Sequence, residues 1–150
     1  MASAIRGIHA HVGIVTSDLD AAMASVGGML GLTWEEPFDG ALAPPFATGD
    51  GAPTPGLRRT TTSLGGPMRI ELLEGQPGSV WQTTALAELH HVAYWVEDVT
   101  GTARAMVDDG WTVEVTIMDD DSRPSLFAYM TKPGEARMEI TTQPDDQSST

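Results

Sequence analysis

The sequence predicts an α+β domain made of two tandem copies of one strand–helix–strand–strand–strand (βαβββ) module. Three repeated features predict it. The stretch HVGIVTSDLDAAMA, beginning at His11, returns as HVAYWVEDVTGTARA, beginning at His91. Each is followed by a glycine-led strand pattern, GLTWEE from Gly31 and GWTVEVTI from Gly110. Each copy then closes on Arg-x-Glu-aliphatic, in MRIELLE (68–74) and ARMEITT (136–142), which sets Glu71 opposite Glu139. Three motifs recurring in one order mark an internal duplication. The histidines are 80 residues apart and the glutamates 68. The difference lies in PFDGALAPPFATGDGAPTPG (37–56), whose five prolines and four glycines predict a loop.

Strands are expected at 8–15, 32–36, 57–63 and 68–74 in the first copy, and at 90–96, 111–117, 124–131 and 136–142 in the second. Between the first two strands of each copy the apolar spacing turns helical. Leu19, Met23, Val26 and Leu30 form one stripe, and Val99, Ala103, Met106 and Val107 the other. Ser17 with Asp20 has the spacing of a capping box. Gly27 and Gly28 weaken the end of the first helix, by roughly 1 kcal/mol each relative to Ala. One domain, 1–150, therefore holds module 1 (about 7–74), a linker with room for one helical turn (75–88), module 2 (about 89–142) and an acidic tail (143–150).

Bulk composition excludes several classes of function. Eight Lys and Arg against 21 Asp and Glu give a formal charge of −13, which repels phosphate backbones and anionic lipid. Neither a nucleic-acid nor a membrane partner is expected. The acidic runs MDDDS (118–122) and QPDDQSST (143–150) read as solvated surface and tail. Without cysteine there is no disulfide framework and no thiolate metal site, so any metal needs nitrogen and oxygen ligands. The N-terminus lacks a signal-peptide pattern, no stretch reaches the length of a membrane span, and a soluble cytoplasmic protein is expected.

All four histidines lie at the two strand starts, in IHAHVGI and LHHVAYW. Neighbouring strand residues point to opposite faces, so His90 and His91 are not expected to look into one cavity. The repeat register matches His91 to His11 and His90 to Ala10. His9, Gly13 and Val15 share the face of His11; Ala93 and Trp95 share that of His91. Gly13 and Ala93, two positions beyond each histidine, leave room beside it. A lone histidine in a strand is more often a hydrogen-bonded core residue than a ligand, but such a residue has little reason to recur in register. Two imidazoles and two carboxylates from His11, Glu71, His91 and Glu139 make an N₂O₂ set suited to one divalent ion: Zn, Fe, Ni, Co or Mn. One or two coordination positions remain for water or substrate.

With HVGI and LHHVAYWVED opening its halves and RIELLEG and RMEITT closing them, the chain resembles the vicinal oxygen chelate superfamily, the glyoxalase/bleomycin resistance/extradiol dioxygenase fold, over about residues 7–142. HHVAYWVED and IELLEG are most similar to its methylmalonyl-CoA epimerase and glyoxalase-like branches. The resemblance implies an incomplete barrel of paired βαβββ modules. It implies His11 and Glu71 as metal ligands from one half and His91 and Glu139 from the other, with the second histidine of the pair as ligand and His90 structural. It further implies a metal-dependent lyase, isomerase or epimerase acting on a small carbonyl or thioester compound through a stabilised enolate or oxyanion. Glu139 is the first candidate base and Glu71 the second.

Similar epimerases carry another Glu on the third strand of the first half, whereas GLRRTTTSLGG (56–66) has no acid. A two-base epimerase then requires Glu35, Glu36 or Asp39 to reach in. Arg58, Arg59, Thr60 and Thr62 suit an anionic or hydrogen-bonding substrate, and Arg69 and Arg137 either orient carboxylates or bind substrate. Two other functions stand beside this one. A non-catalytic small-molecule or drug binder would trap its ligand among Trp34, Trp81, Trp95, Phe127 and Tyr129. An Fe(II) oxygenase of this fold would use two His and one Glu, and the extra acid at Glu71 argues against it. The loop 37–56 is expected at the pocket mouth. A homodimer is expected, with the site closing within one chain or across two.

Overall fold

The computed structural model describes residues 9–142; the acidic tail at 143–150 and the first eight residues lie outside the described residues. The elements follow the duplicated order: β1 (His9–Val15), α1 (Leu19–Leu30), β2 (Thr33–Trp34), β3 (Phe38–Asp39), β4 (Phe46–Ala47), β5 (Pro53–Thr54), β6 (Leu57–Leu64), β7 (Ile70–Gly75), β8 (Glu88–Val96), α2 (Val99–Asp108), β9 (Thr112–Met118), β10 (Pro124–Thr131) and β11 (Met138–Thr142). The strands form one mixed sheet in the order β2-β6-β7-β1-β8-β11-β10-β9-β4-β5, with β3 on β6. The order has two ends, so the sheet is open. This is the α+β architecture that the duplication predicts.

Two compact units divide the chain, one of residues 11–45 and 54–91, the other of 46–53 and 92–142 with the start of β1. Their boundary falls inside β8, between His91 and Val92. In the first unit β1 runs parallel to β7, and β6 antiparallel to it. Leu19 and Ala22 of α1 bury against Leu72 of β7, with Ile14, Met23, Trp34 and Ile70 around them. Burying a leucine such as Leu72 contributes about 1.5–3 kcal/mol. In the second unit β8 runs parallel to β11, and Val99, Ala103 and Met106 of α2 pack on Ala128, Met130 and Ile140. Strand alternation does the rest: because Leu72 and Ile140 face the helices, Glu71 and Glu139 face the other way.

The helix starts differ from the capping box expected at Ser17. Asp18 is the N-cap of α1, its carboxylate accepting from Ala21 N at 3.1 Å, and Asp98 caps α2 by accepting from Gly101 N at 3.0 Å. These are the repeated aspartates seven residues after His11 and His91. Ser17 instead donates its backbone N–H to the Ala85 carbonyl. A second carboxylate, Glu74 at the end of β7, accepts from Leu19 N at 2.7 Å and faces the positive end of the α1 dipole. Gly31, at φ 68°, closes α1 in the left-handed conformation that favours glycine. Leu30 and Val107, the last members of the expected stripes, are exposed. Gly27 is a contact position, because a Cβ there would lie 2.7 Å from Trp34 Nε1, which donates to the Met23 carbonyl.

Two other expectations are corrected. The segment 37–56 is not structureless. It holds β3, a 3₁₀ turn at Gly40–Leu42, β4 and β5, and Ala47 pairs with Thr116 of β9. The linker 75–88 holds no helical turn; i to i+3 hydrogen bonds from Ser79 N to Gln76 O and from Gln82 N to Ser79 O fold it into consecutive turns around the buried Trp81. MDDDS forms the turn between β9 and β10, where Asp119 accepts from the backbone N–H groups of Arg123 and Asp121 and from the Arg123 guanidinium.

The repeated caps are expected to matter equally. Asp18→Ala and Asp98→Ala should each lower stability by about 1 kcal/mol in urea unfolding, while Ser17→Ala should cost much less. The Asp119 carboxyl is held below the ordinary carboxylate range, first by the Arg123 backbone N–H and then by the other donors around it. A depressed folded-state pKa stabilises the turn above the unfolded carboxylate's pKa, and the benefit is lost as pH falls through the lowered value. An NMR titration should show that depression in the wild type. Arg123→Ala should restore only part of it, because the backbone donors remain.

Candidate metal centre

The parallel pairing in each half places a glutamate beside a small residue. Glu71 lies opposite Gly13, and Glu139 opposite Ala93. Since His11 and Gly13 share a face, as do His91 and Ala93, each carboxylate emerges next to the histidine of its own half. His11 Nε2 lies 2.7 Å from Glu71 Oε2 and 3.0 Å from His91 Nε2. Among the described residues, one donor atom from each of His11, Glu71, His91 and Glu139 falls within 4.8 Å of the others. His91 and Glu139 are buried, His11 and Glu71 half-buried.

The room foreseen beside the histidines has an occupant. A Cβ on Gly13 would overlap the His91 ring at Cε1, Nδ1 and Nε2, so glycine is what lets that imidazole lie across β1. The two rings meet edge to face, with centroids 5.2 Å apart. Glu71 is braced from β6: Thr62 is its cross-strand partner, and Thr60 Oγ1 lies 3.3 Å from Glu71 Oε1 and 2.9 Å from the Leu72 carbonyl. The donor chemistry fits a borderline divalent cation, with two imidazoles and two carboxylates able to converge on one point.

His90 departs from the expectation that it faces away from His91. Its Nδ1 lies 2.9 Å from His91 Nδ1, and its Nε2 lies 2.9 Å from the Val80 carbonyl. Alternation separates neighbouring Cβ atoms, yet the two rings meet edge to face with centroids 5.2 Å apart. Only the adjacency of the two histidines hinted at this contact.

The arginines resolve into ion pairs. Arg69 pairs with Glu35 at 3.4 Å and Arg137 with Glu114 at 2.7 Å, the same exchange in each half. Glu35 is thereby turned to Arg69. Arg59 forks onto Asp20 at 3.2 and 3.3 Å and reaches Glu74, which ties β6 to the start of α1; Arg58 is exposed. Trp34 packs against the core under α1, and Trp81 is buried within the linker turns. Phe127 and Tyr129 remain on the Glu139 side, since Tyr129 is the cross-strand partner of Glu139. Phe46, from the long insertion, joins them: Phe46 and Phe127 lie 5.9 Å apart and Phe127 and Tyr129 5.3 Å, both edge to face.

Gly13→Ala is expected to displace the His91 ring. Zinc titration against a chromophoric chelator should then show at least tenfold weaker binding than wild type, whereas Gly28→Ala, where a Cβ meets open space, should leave binding unchanged.

In sequence, residues 10–129 match the profile of the Glyoxalase/Bleomycin resistance protein/Dioxygenase superfamily. No curated protein matches the chain. Among solved structures, it is similar to methylmalonyl-CoA epimerase from Mycobacterium tuberculosis at 18% identity and a TM-score of 0.66, over 100% of this chain and 96% of that one. It is similar to hypothetical protein BH1468 from Bacillus halodurans C-125 at 16% identity and a TM-score of 0.66, over 94% and 97%. It also resembles a mutant of 4-hydroxymandelate synthase from Streptomyces coelicolor, at 15% identity and a TM-score of 0.56, over 91% of this chain and 38% of that one. At these identities the structural likeness is one of fold, and with the sequence profile spanning most of its length the chain belongs to the glyoxalase/bleomycin resistance protein/dioxygenase superfamily.

Proposed function

We propose that the chain is a divalent-metal-dependent enzyme that moves a proton next to the carbonyl of a small carbonyl or thioester compound, as an isomerase, epimerase or lyase. The observation that carries this is the convergence of His11, Glu71, His91 and Glu139. Bound there, a divalent ion supplies Lewis-acid polarisation of a substrate oxygen. His11 and His91 would hold it from two neighbouring strands, with Glu71 fixed by Thr60.

Glu139 is the first choice of base. It is buried between Ala93 and Tyr129, while Glu71 is half-buried. Water exclusion leaves the Glu139 carboxylate beside the reacting carbon with few competing proton sources. It takes the proton from the carbon next to the carbonyl and gives it to a neighbouring atom of the substrate in an isomerisation or to the leaving group in an elimination. Beside Glu71 on β6 stand Thr60 and Thr62, neither able to act as a further carboxylate base, so epimerisation would need Glu71 to deliver the proton to the opposite face, whereas isomerisation or elimination needs Glu139 alone. Arg69 and Arg137 hold Glu35 and Glu114 and are not assigned to substrate. The likeness to methylmalonyl-CoA epimerase adds acyl-CoA thioesters to the compounds worth testing.

A second function draws on the Phe46–Phe127–Tyr129 cluster, which suits a binder that holds an apolar ligand without turnover.

Elemental analysis and solvent deuterium exchange separate the two. One transition-metal ion per chain, lost in His91→Ala, is expected, together with deuterium entering the α-carbon of an acyl-CoA or α-hydroxycarbonyl substrate. Glu139→Gln should keep most of the metal through its amide oxygen yet slow exchange by about 10²–10⁴-fold. Absence of metal after incubation with Zn, Ni, Co, Mn and Fe(II) would turn the assignment to the binder, and substrate-dependent oxygen uptake would replace it with an oxygenase.

A further inference from the structure

His90 and the Val80 carbonyl lie outside the four-residue cluster, yet an unbroken line of hydrogen bonds joins them to it. The His90 ring is buried. Its Nε2 is 2.9 Å from the Val80 carbonyl oxygen, and a carbonyl can only accept, so His90 Nε2 carries a proton. A neutral imidazole protonated at Nε2 offers a lone pair at Nδ1. His91 Nδ1, 2.9 Å away, must then be the donor. Neutral His91 is left with its lone pair on Nε2, the atom that sits 3.0 Å from His11 Nε2 within the cluster.

The acceptor at the far end of this line is itself held in place. Val80 lies between Ser79 and Trp81, both buried, in the linker joining β7 to β8. Ser79 Oγ donates to the Gln76 carbonyl at 2.7 Å, and Gln82 Oε1 accepts from Gly78 N at 2.8 Å. The turns press so closely on β7 that a Cβ on Gly75 would come within 2.8 Å of both Ser79 and Trp81. Gln76 N reaches back to the Gly56 carbonyl. The linker thus presents one fixed carbonyl to one buried ring.

We propose that His90 is a positioning residue. Held by the Val80 carbonyl, it accepts from His91 Nδ1 and locks His91 in the tautomer whose Nε2 can bind a cation. The effect on metal affinity rests on the metal-dependent function proposed above; the tautomer does not. Groups that orient a ligand histidine in this way are typically worth about 10- to 100-fold in metal affinity.

The test pairs His90→Asn with His90→Phe. Asparagine can keep an acceptor oxygen near the position of His90 Nδ1, while phenylalanine fills the space and accepts nothing. In metal-free protein at mildly alkaline pH, ¹⁵N-resolved imidazole spectra should give His91 a protonated Nδ1 and an unprotonated Nε2, and His90 a protonated Nε2. His90→Asn should preserve the His91 pattern and bind zinc within a few-fold of wild type. His90→Phe should lose the pattern and bind zinc about 10- to 100-fold more weakly, even if its thermal midpoint is no lower than that of His90→Asn. A wild-type His91 protonated at Nε2 alone would overturn the proposal, and that spectrum decides even if His90→Phe fails to fold. So would a His90→Phe protein whose His91 tautomer is unchanged. If the wild type takes up no zinc but the tautomer is fixed and is lost in His90→Phe, the metal-dependent function fails and the positioning role stands.

Discussion

The structure turns on the parallel register between the first and last strands of each half. Gly13 beside Glu71 and Ala93 beside Glu139 is one pairing made twice. Side chains alternate with a period of two, so a slip of one residue would send each glutamate under its helix and bring Leu72 or Ile140 out in its place. Such a slip would press two carboxylates into the apolar layers under the helices and turn out the enclosed Leu72 and Ile140. The hydrophobic contacts under α1 and α2 therefore do more than stabilise. They fix which face the carboxylates occupy, and they do so from the neighbouring residue.

Collecting two imidazoles and two carboxylates on a largely buried face carries a desolvation cost, and their surroundings show how it is offset. His11 Nε2 lies 2.7 Å from Glu71 Oε2, Thr60 reaches Glu71, and the rings of His90 and His91 share a hydrogen bond. Among the described residues, no buried side-chain nitrogen or oxygen lacks a hydrogen-bond partner. A cluster of this kind is preorganised: its members are held by strands and by neighbouring polar groups rather than by loops, which suits a site that must keep its geometry.

The two halves depart from symmetry where specificity would arise. The first half carries the long insertion, and its Phe46 and Ala47 join the second unit, Ala47 on β9 and Phe46 against Phe127. The linker between the halves supplies the carbonyl that holds His90. The duplication thus supplies the donors, and the unduplicated segments shape what surrounds them.

How much was legible beforehand follows from the range of each interaction. The order of strands and helices, the repeat and the four donors are written locally, in alternation, in helical spacing and in motifs that recur in register. The N-caps were nearly legible, since the recurring Asp18 and Asp98 outweigh the lone Ser17. The roles of the arginines, the packing of Trp34 and Trp81, the short strands within 37–56 and the contact between His90 and His91 were not. Each depends on a partner distant in sequence or on the rotation of a ring, and no local pattern encodes either. The sequence by itself determined the fold class and singled out four residues that could hold a metal, because duplication repeats side-chain chemistry at fixed intervals. Only the tertiary structure decided which of those residues meet, and that Gly13 yields its place to His91, because close approach is set by packing across strands.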